Sequence, residues 1–196
     1  MKKVLSILSL TVVAIVIGTS LNGCSEDDVI TNNNNTNTTD STDNETLDCS
    51  NGGAVYLHTN GVTVIACPNA QVGDTGYING KMYIVANLEM LEDAEYEDDK
   101  DVTKFCTSKV TDMSHLFGEY WKFNQDISSW DVSNVTSMGG MFWGTPFNQN
   151  IGNWDVSNVI SMNGMFRTAN SFNQDIGNWD VSNVTDMADM FMETNF

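Results

Sequence analysis

A chain of 196 residues has room for one ordinary domain, or for a tether with a small one, and not for a multidomain enzyme. Its 26 acidic residues against 8 basic ones give a net charge of -18, which excludes recognition of a polyanion such as nucleic acid through phosphate contacts. With 41% hydrophobic residues the chain holds a core, and its 2 histidines, His58 and His115, lie far apart in unlike contexts and signal no catalytic or metal constellation.

The chain opens on Met1-Lys2-Lys3, continues as an apolar run over residues 4–21 and then reads Asn22-Gly23-Cys24. This resembles a bacterial lipoprotein signal, with Gly23 as the small residue before the cysteine and Leu21 as the aliphatic one three before it. Asn22 departs from the small or aliphatic residue usual there. The resemblance implies removal of residues 1–23 and lipid attachment at Cys24. A simple transmembrane anchor would leave the cysteine and the abrupt polar switch unexplained. Ser25-Glu26-Asp27-Asp28 resembles the acidic tag of some Gram-negative lipoproteins, which implies an outer-membrane, lipid-anchored and surface-exposed location. Loss of Lys2 and Lys3 would leave 6 basic residues against 26 acidic ones, a charge of 6 - 26 = -20. Residues 24–47 are rich in Asn, Thr and Asp and poor in large apolar residues, so they read as a disordered stalk. As a flexible coil it would span on the order of 25 to 30 Å.

Residues 48–100 read as a β-hairpin cap with a short helix. Asn60-Gly61 lies between two β-rich runs over residues 54–67, and Asn79-Gly80 lies between apolar flanks over residues 76–85. Each pair predicts a hairpin. Asn87 is placed to cap a helix through Leu88, Leu91 and Ala94, kept short by the acidic Glu95, Glu97, Asp98 and Asp99, which oppose the dipole at its C-terminal end. With Cys24 lipidated, Cys49, Cys67 and Cys106 remain. In an exported protein Cys49 and Cys67 are the favoured disulfide, closing a separation of 67 - 49 = 18 residues, which is worth about 3 kcal/mol of loop entropy. Cys106 is then a packed thiol, with pairing to either of the other two as the alternative. None of the spacings suggests zinc.

From Phe123 the chain repeats itself. Phe123-Asn124-Gln125-Asp126-Ile127 recurs from Phe147 and Phe172, at spacings of 147 - 123 = 24 and 172 - 147 = 25 residues. Trp130-Asp131-Val132-Ser133-Asn134-Val135 recurs from Trp154 and Trp179, and Met138 with Met141-Phe142 recurs as Met162 with Met165-Phe166 and Met187 with Met190-Phe191. Val110, Met113, Leu116 and Phe117 fit the same frame. A degenerate first coil therefore begins near Asp101, with Val102, Phe105 and Cys106 where Ile127, Trp130 and Asp131 stand. Phe196 would open another coil, so the repeats read as truncated at the C-terminus. Within a coil, residues 125–130 are expected to form a short strand with Ile127 inward. Val132, Val135, Met138 and Met141 follow at steps of three, which suits a short helix or 3-10 turn, although Gly139-Gly140 weakens the helix. The expected fold class is α/β: a leucine-rich-repeat-like solenoid over residues 101–196, its strands forming a narrow parallel sheet at about 4.8 Å per coil. One coil alone buries too little to fold, so neighbours must cover it.

These blocks resemble the leucine-rich-like surface-protein repeats of the BspA type, also grouped as a domain of unknown function in bacterial and mycoplasmal lipoproteins. The resemblance implies a surface display module, used by some members for adhesion, and identifies no ligand.

The exposed strand face, with Asp126, Ser128, Asn150, Gly152, Asp175 and Gly177, is the candidate binding surface for a protein or glycan partner. Asp131, Asp155 and Asp180 form a column in which like charges about 5 Å apart repel by about 0.8 kcal/mol in water. A turn-capping hydrogen bond returns about 1 kcal/mol, so a structural role is favoured over a divalent cation such as calcium. Asn134, Asn158 and Asn183 are expected to bond backbone within their turns. Trp130, Trp154, Trp179 and the methionines Met138, Met162 and Met187 are expected in the core. The repeats supply Asp, Asn and Ser without an accompanying His or Lys, so no enzyme and no cofactor are expected. Contact with the membrane is through the lipid anchor only, and no nucleic-acid partner is expected. The alternative to a binding surface is an envelope spacer carrying a missing C-terminal domain.

Overall fold

A computed structural model of the chain describes Cys49, residues 53–95 and residues 100–196. The expected signal peptide, Cys24, the stalk and the acidic Glu97, Asp98 and Asp99 lie outside the described residues.

Strands β1 (Val55–Leu57) and β2 (Val64–Ala66) pair antiparallel, Val55 opposite Ala66 and Leu57 opposite Val64. Asn60 shapes the loop between them, because its Oδ1 accepts the N–H groups of Val62 and Thr63, both at 2.9 Å. The second Asn-Gly pair makes a tighter turn. Asn79 and Gly80 have φ of 50° and 78°, so the two positive-φ residues of a primed turn join β3 (Thr75–Ile78) directly to β4 (Lys81–Val85). A Cβ on Gly76 of β3 would stand 2.7 Å from the Val55 side chain and 3.0 Å from its nitrogen, so a glycine there lets the two hairpins pack face to face. Ala54, Val55, Val64, Ala66, Ala70, Tyr83, Val85 and Cys106 close this small core, and a disulfide joins Cys49 to Cys67 beside it.

Helix α1 (Leu88–Glu95) begins where Asn87 Oδ1 accepts the Met90 N–H. Its last turn has no basic residue to meet the carbonyl end. By packing, α1 belongs with the repeats: Ala86 and Leu91 are fully buried in the same cluster as Val102, Phe105 and the repeat side chains, whereas Val85 belongs to the hairpin core. A 3-10 turn (Val102–Lys104) capped by Asp101 leads into β5 (Phe105–Cys106), which pairs parallel with β4.

The repeats depart from expectation in local structure. Residues 107–196 contain no helix and no continuous strand. Parallel pairing between repeats falls at Asp112, Ser137, Ser161 and Asp186, each bridged to the next, and not over residues 125–130. Over the predicted strand, side chains take the place of the backbone ladder: Asn124 Oδ1 accepts the Asn148 N–H, and Asn148 Oδ1 accepts the Asn173 N–H, both at 2.9 Å. Gln149 Nε2 donates to Asn124 and Gln174 Nε2 to Asn148. A side-chain amide fills the gap between neighbouring backbones there, so the Asn-Gln pair is what holds that edge.

The apolar step of three comes from successive turns, not from a helix. The Trp130 N–H donates to Ile127 O, Val135 to Val132 and Met141 to Met138, and the same bonds recur in the next two repeats. Left-handed residues stop these turns from joining into a helix: His115 and Glu119, Gly140 and Gly144, Gly164 and Thr168, and Asp189 and Glu193 all have φ between 56° and 71°. They also turn alternate peptides toward the following repeat. The N–H groups of Met113, His115, Phe117 and Glu119 donate to the carbonyls of Ser137, Gly139, Met141 and Trp143. Met138, Gly140, Phe142 and Gly144 donate in the same way to the third repeat, whose Met162, Gly164, Phe166 and Thr168 donate to the fourth.

Phenylalanines stack in two columns that are buried through Phe172 and end on the exposed Phe196. Met138 and Met162 are fully buried beside them, but Met187, expected in the core, is 40% exposed in the fourth repeat, on which no further repeat packs among the described residues. Phe117 stacks on Phe123 with ring centroids 3.6 Å apart, Phe142 on Phe147 at 4.0 Å, Phe166 on Phe172 at 3.9 Å and Phe191 on Phe196 at 4.6 Å. Trp130, Trp154 and Trp179 are buried, and their indole N–H groups donate to the carbonyls of Val102, Ile127 and Ile151 in the preceding repeat. Each tryptophan thus adds a bond between repeats to its apolar bulk. Among the described residues no buried side-chain nitrogen or oxygen lacks a partner.

Candidate functional site

The predicted face is built from turns. Asp126 Oδ1 accepts the Ser128 N–H at 3.1 Å, Asn150 Oδ1 the Gly152 N–H at 3.0 Å and Asp175 Oδ1 the Gly177 N–H at 2.9 Å. Asp126, Asn150 and Asp175 are exposed, and one oxygen of each is committed to its own turn. Gly152 has a packing role, since a Cβ there would lie 2.6 Å from the Asp175 carbonyl oxygen.

The aspartate column is uneven. In each rung Oδ1 caps a turn, accepting the N–H of Ser133, Ser157 or Ser182. The bonds from Ser182 hold the exposed Asp180 carboxyl below its ordinary range. Asp155 and Asp180 are exposed, but Asp131 is buried at 4% exposure. Ser133 and Ser108 donate hydroxyl hydrogen bonds to its two oxygens. Ser108 Oγ also accepts the Ala66 N–H, Thr107 donates to the Asp131 carbonyl, and the Val64 N–H donates to Ser129 O. Asp131 therefore ties the hairpin cap to the repeats.

Cys106 takes the place of an aspartate in the first rung. Its Sγ donates to Val64 O at 3.3 Å, and burial pushes the thiol above its ordinary pKa, which keeps it protonated and unreactive at neutral pH. His115, the histidine of the first repeat, lies over Gly140 and meets Trp143 edge-on at 6.4 Å between centroids.

A second surface is formed by Asn134, Thr136, Asn158, Ile160, Asn183 and Thr185, which line a groove of about 510 Å³. Each Asn Nδ2 donates to a serine carbonyl of the preceding repeat: Asn134 to Ser108 at 3.0 Å, and Asn158 to Ser133 and Asn183 to Ser157 at 2.7 Å. These bonds cross between repeats, where the sequence suggested bonds within one turn. They hold the three amides in one orientation with the side chains exposed. Thr136, Ile160 and Thr185 are the neighbouring column. Sequence reasoning did not single them out, although Asn134-Val135-Thr136 reads out, in, out at the repeat spacing and carried the signal.

A row of neutral polar groups at one-repeat spacing suits the holding of an extended ligand by several weak contacts. It does not assemble a nucleophile, a base and an orienting group. Among the described residues no cluster of three His, Cys, Asp or Glu side chains is arranged to hold a metal ion.

A family match covers the part of the molecule from α1 onward. The chain belongs to the family described as "Mycoplasma protein of unknown function, DUF285", which it matches over residues 86–196, more than half its length. The match begins at Ala86, the residue at which the hairpin core gives way to the repeat core. No curated protein and no solved structure matches the chain.

Proposed function

We propose that the protein is a non-enzymatic, lipid-anchored surface protein of the BspA type, whose repeats form a solenoid that presents a binding surface to a protein or glycan partner. Cys24 carries the lipid in an outer membrane, and residues 24–47 hold the folded part away from it. The observation that supports this most directly is the division of labour in each repeat. In the first three repeats the repeated phenylalanine and methionine side chains fill the inside, backbone and amide bonds link neighbours, and rows of polar groups at one-repeat spacing remain outside. Extended surfaces of that kind suit recognition by repetition.

Protease treatment of intact cells tests the location, with cleavage before lysis as the expected result; survival until lysis overturns it. Labelling with a radioactive fatty acid tests the anchor, and Cys24→Ser should abolish incorporation. Binding is tested by pull-down against protein and glycan panels, with Asp126→Ala and Asp175→Ala as variants of the turn face. The absence of any partner at micromolar concentration would favour a spacer. The capped state of Asp126, Asn150 and Asp175, each committed to its own turn, favours that second reading for their face.

A further inference from the structure

The groove over Asn134, Thr136, Asn158, Ile160, Asn183 and Thr185 has no charged residue in its lining, on a chain whose net charge is -18. Each asparagine amide is anchored through one N–H, so its Oδ1 and second N–H remain for a ligand. The hydroxyls of Thr136 and Thr185 donate to the carbonyls of Thr111 and Ile160, which leaves their oxygens as acceptors. The groove is therefore richer in acceptors than in donors, and the acceptors recur once per repeat. Ile160 is 51% exposed between the two threonines and supplies an apolar spot in the middle.

Peptide and nucleic-acid occupants fit less well. The backbone N–H groups of Thr136, Ile160 and Thr185 already donate to the preceding repeat, so they offer nothing to an added strand. A cationic segment would find no carboxylate in the lining. A polyanion would meet the repulsion of the whole chain.

We infer that this groove binds a neutral, hydroxyl-rich oligosaccharide chain lying across the repeats, an inference that rests on the binding-surface reading above. Sugar hydroxyls donate to Oδ1 of Asn134, Asn158 and Asn183 and accept the remaining amide N–H groups. The C–H face of one ring lies on Ile160.

Isothermal titration of the full chain in detergent, with hexamers of β-1,4-linked glucose and of N-acetylglucosamine as probes, tests this. Ile160→Arg removes no side-chain hydrogen bond and fills the groove, so it should weaken binding about tenfold or more, with the thermal midpoint unchanged. Asn158→Ala should weaken binding as well, and Asp126→Ala and Asp175→Ala should leave it intact. If the hexamers bind but only the Asp126 and Asp175 variants lose them, the groove is the wrong surface, although the binding-surface reading stands. Should neither hexamer bind while polylysine or a protein from the panel does, the glycan assignment falls alone. If nothing in any panel binds, both fall.

Discussion

Gly140 and Thr168 occupy the same kind of backbone position with opposite suitability. Gly140 has φ 63°, and a Cβ there would lie 2.5 Å from two atoms of the His115 ring. Gly140→Ala should therefore destabilise the chain by about 1–3 kcal/mol, combining left-handed strain with the displacement of His115. Thr168 has φ 57° with a β-branched side chain, and the matching residue one repeat earlier is Gly144. Thr168→Gly should relieve strain of about 1–2 kcal/mol at a backbone-entropy cost of about 0.5–1 kcal/mol. Thermal unfolding of the two variants checks both, with a midpoint about 2–4 °C higher expected for Thr168→Gly if the net gain reaches about 1 kcal/mol. A lower midpoint for that variant would mean that the left-handed threonine is not strained.

Asp101 shows how a single carboxylate ties an element to pH. Its bond from the Thr103 hydroxyl, assisted by Lys104 at 2.9 Å, holds its carboxyl below the ordinary range. A folded-state pKa below the unfolded one means that the ionised cap stabilises the chain above the unfolded value of about 3.9, and that this is lost as pH falls through the folded value. The pair is exposed, so the effect is screened. Asp101→Asn should cost no more than about 0.5–1 kcal/mol at pH 7, and the difference from wild type should shrink as pH falls below the ordinary aspartate range in urea titrations.

At the scale of elements, the hairpins and α1 were legible because their signals are local. Asn60-Gly61, Asn79-Gly80 and the cap Asn87 act within a few residues of themselves. The repeat interior was legible through its period, and Trp130, Trp154 and Trp179 are buried as the spacing implies. The local form of the repeats was not. Val132, Val135, Met138 and Met141 step by three whether they lie on one helical face or on a chain of turns. Only the left-handed residues separate the two, and several of them, among them Glu119 and Thr168, are types that seldom adopt that conformation. The strand was misplaced for a related reason. Asn124-Gln125 and its copies carry no strand signature, because their bonds to the next repeat run through side chains. Asn148→Ala should remove the bonds from the Asn173 N–H and from Gln174 and cost about 1–2 kcal/mol. Asn173→Ala, whose side chain takes no bond among the described residues, should stay within about 0.5 kcal/mol. Equal effects in denaturant titrations would show that the amide column does not link the repeats.

For the whole molecule, the boundary that matters is a change of core. Val85 packs with the hairpins and Ala86 with the repeats, and composition does not reveal it because the two cores meet at adjacent apolar residues. The groove was half legible: its asparagines stood out by repetition, and its Thr136, Ile160 and Thr185 column was hidden by the isoleucine. If each repeat is a stacking unit, removing residues 147–171 as one block should leave a cooperative fold with a smaller denaturant m-value. Removing residues 147–158 alone should abolish folding, because the Phe and Met columns would no longer meet. Circular dichroism during urea unfolding distinguishes the outcomes.

The one-way donation between repeats has an electrical consequence. In the second and third repeats four peptide groups point their N–H ends forward, against one pointing back in the second, that of Thr136, and three in the third, those of Asn148, Ile160 and Ser161. Their dipoles, about 3.5 D each, therefore add along the row of repeats as they do in an α-helix, although the chain runs across that row. The forward side of each repeat is its positive pole.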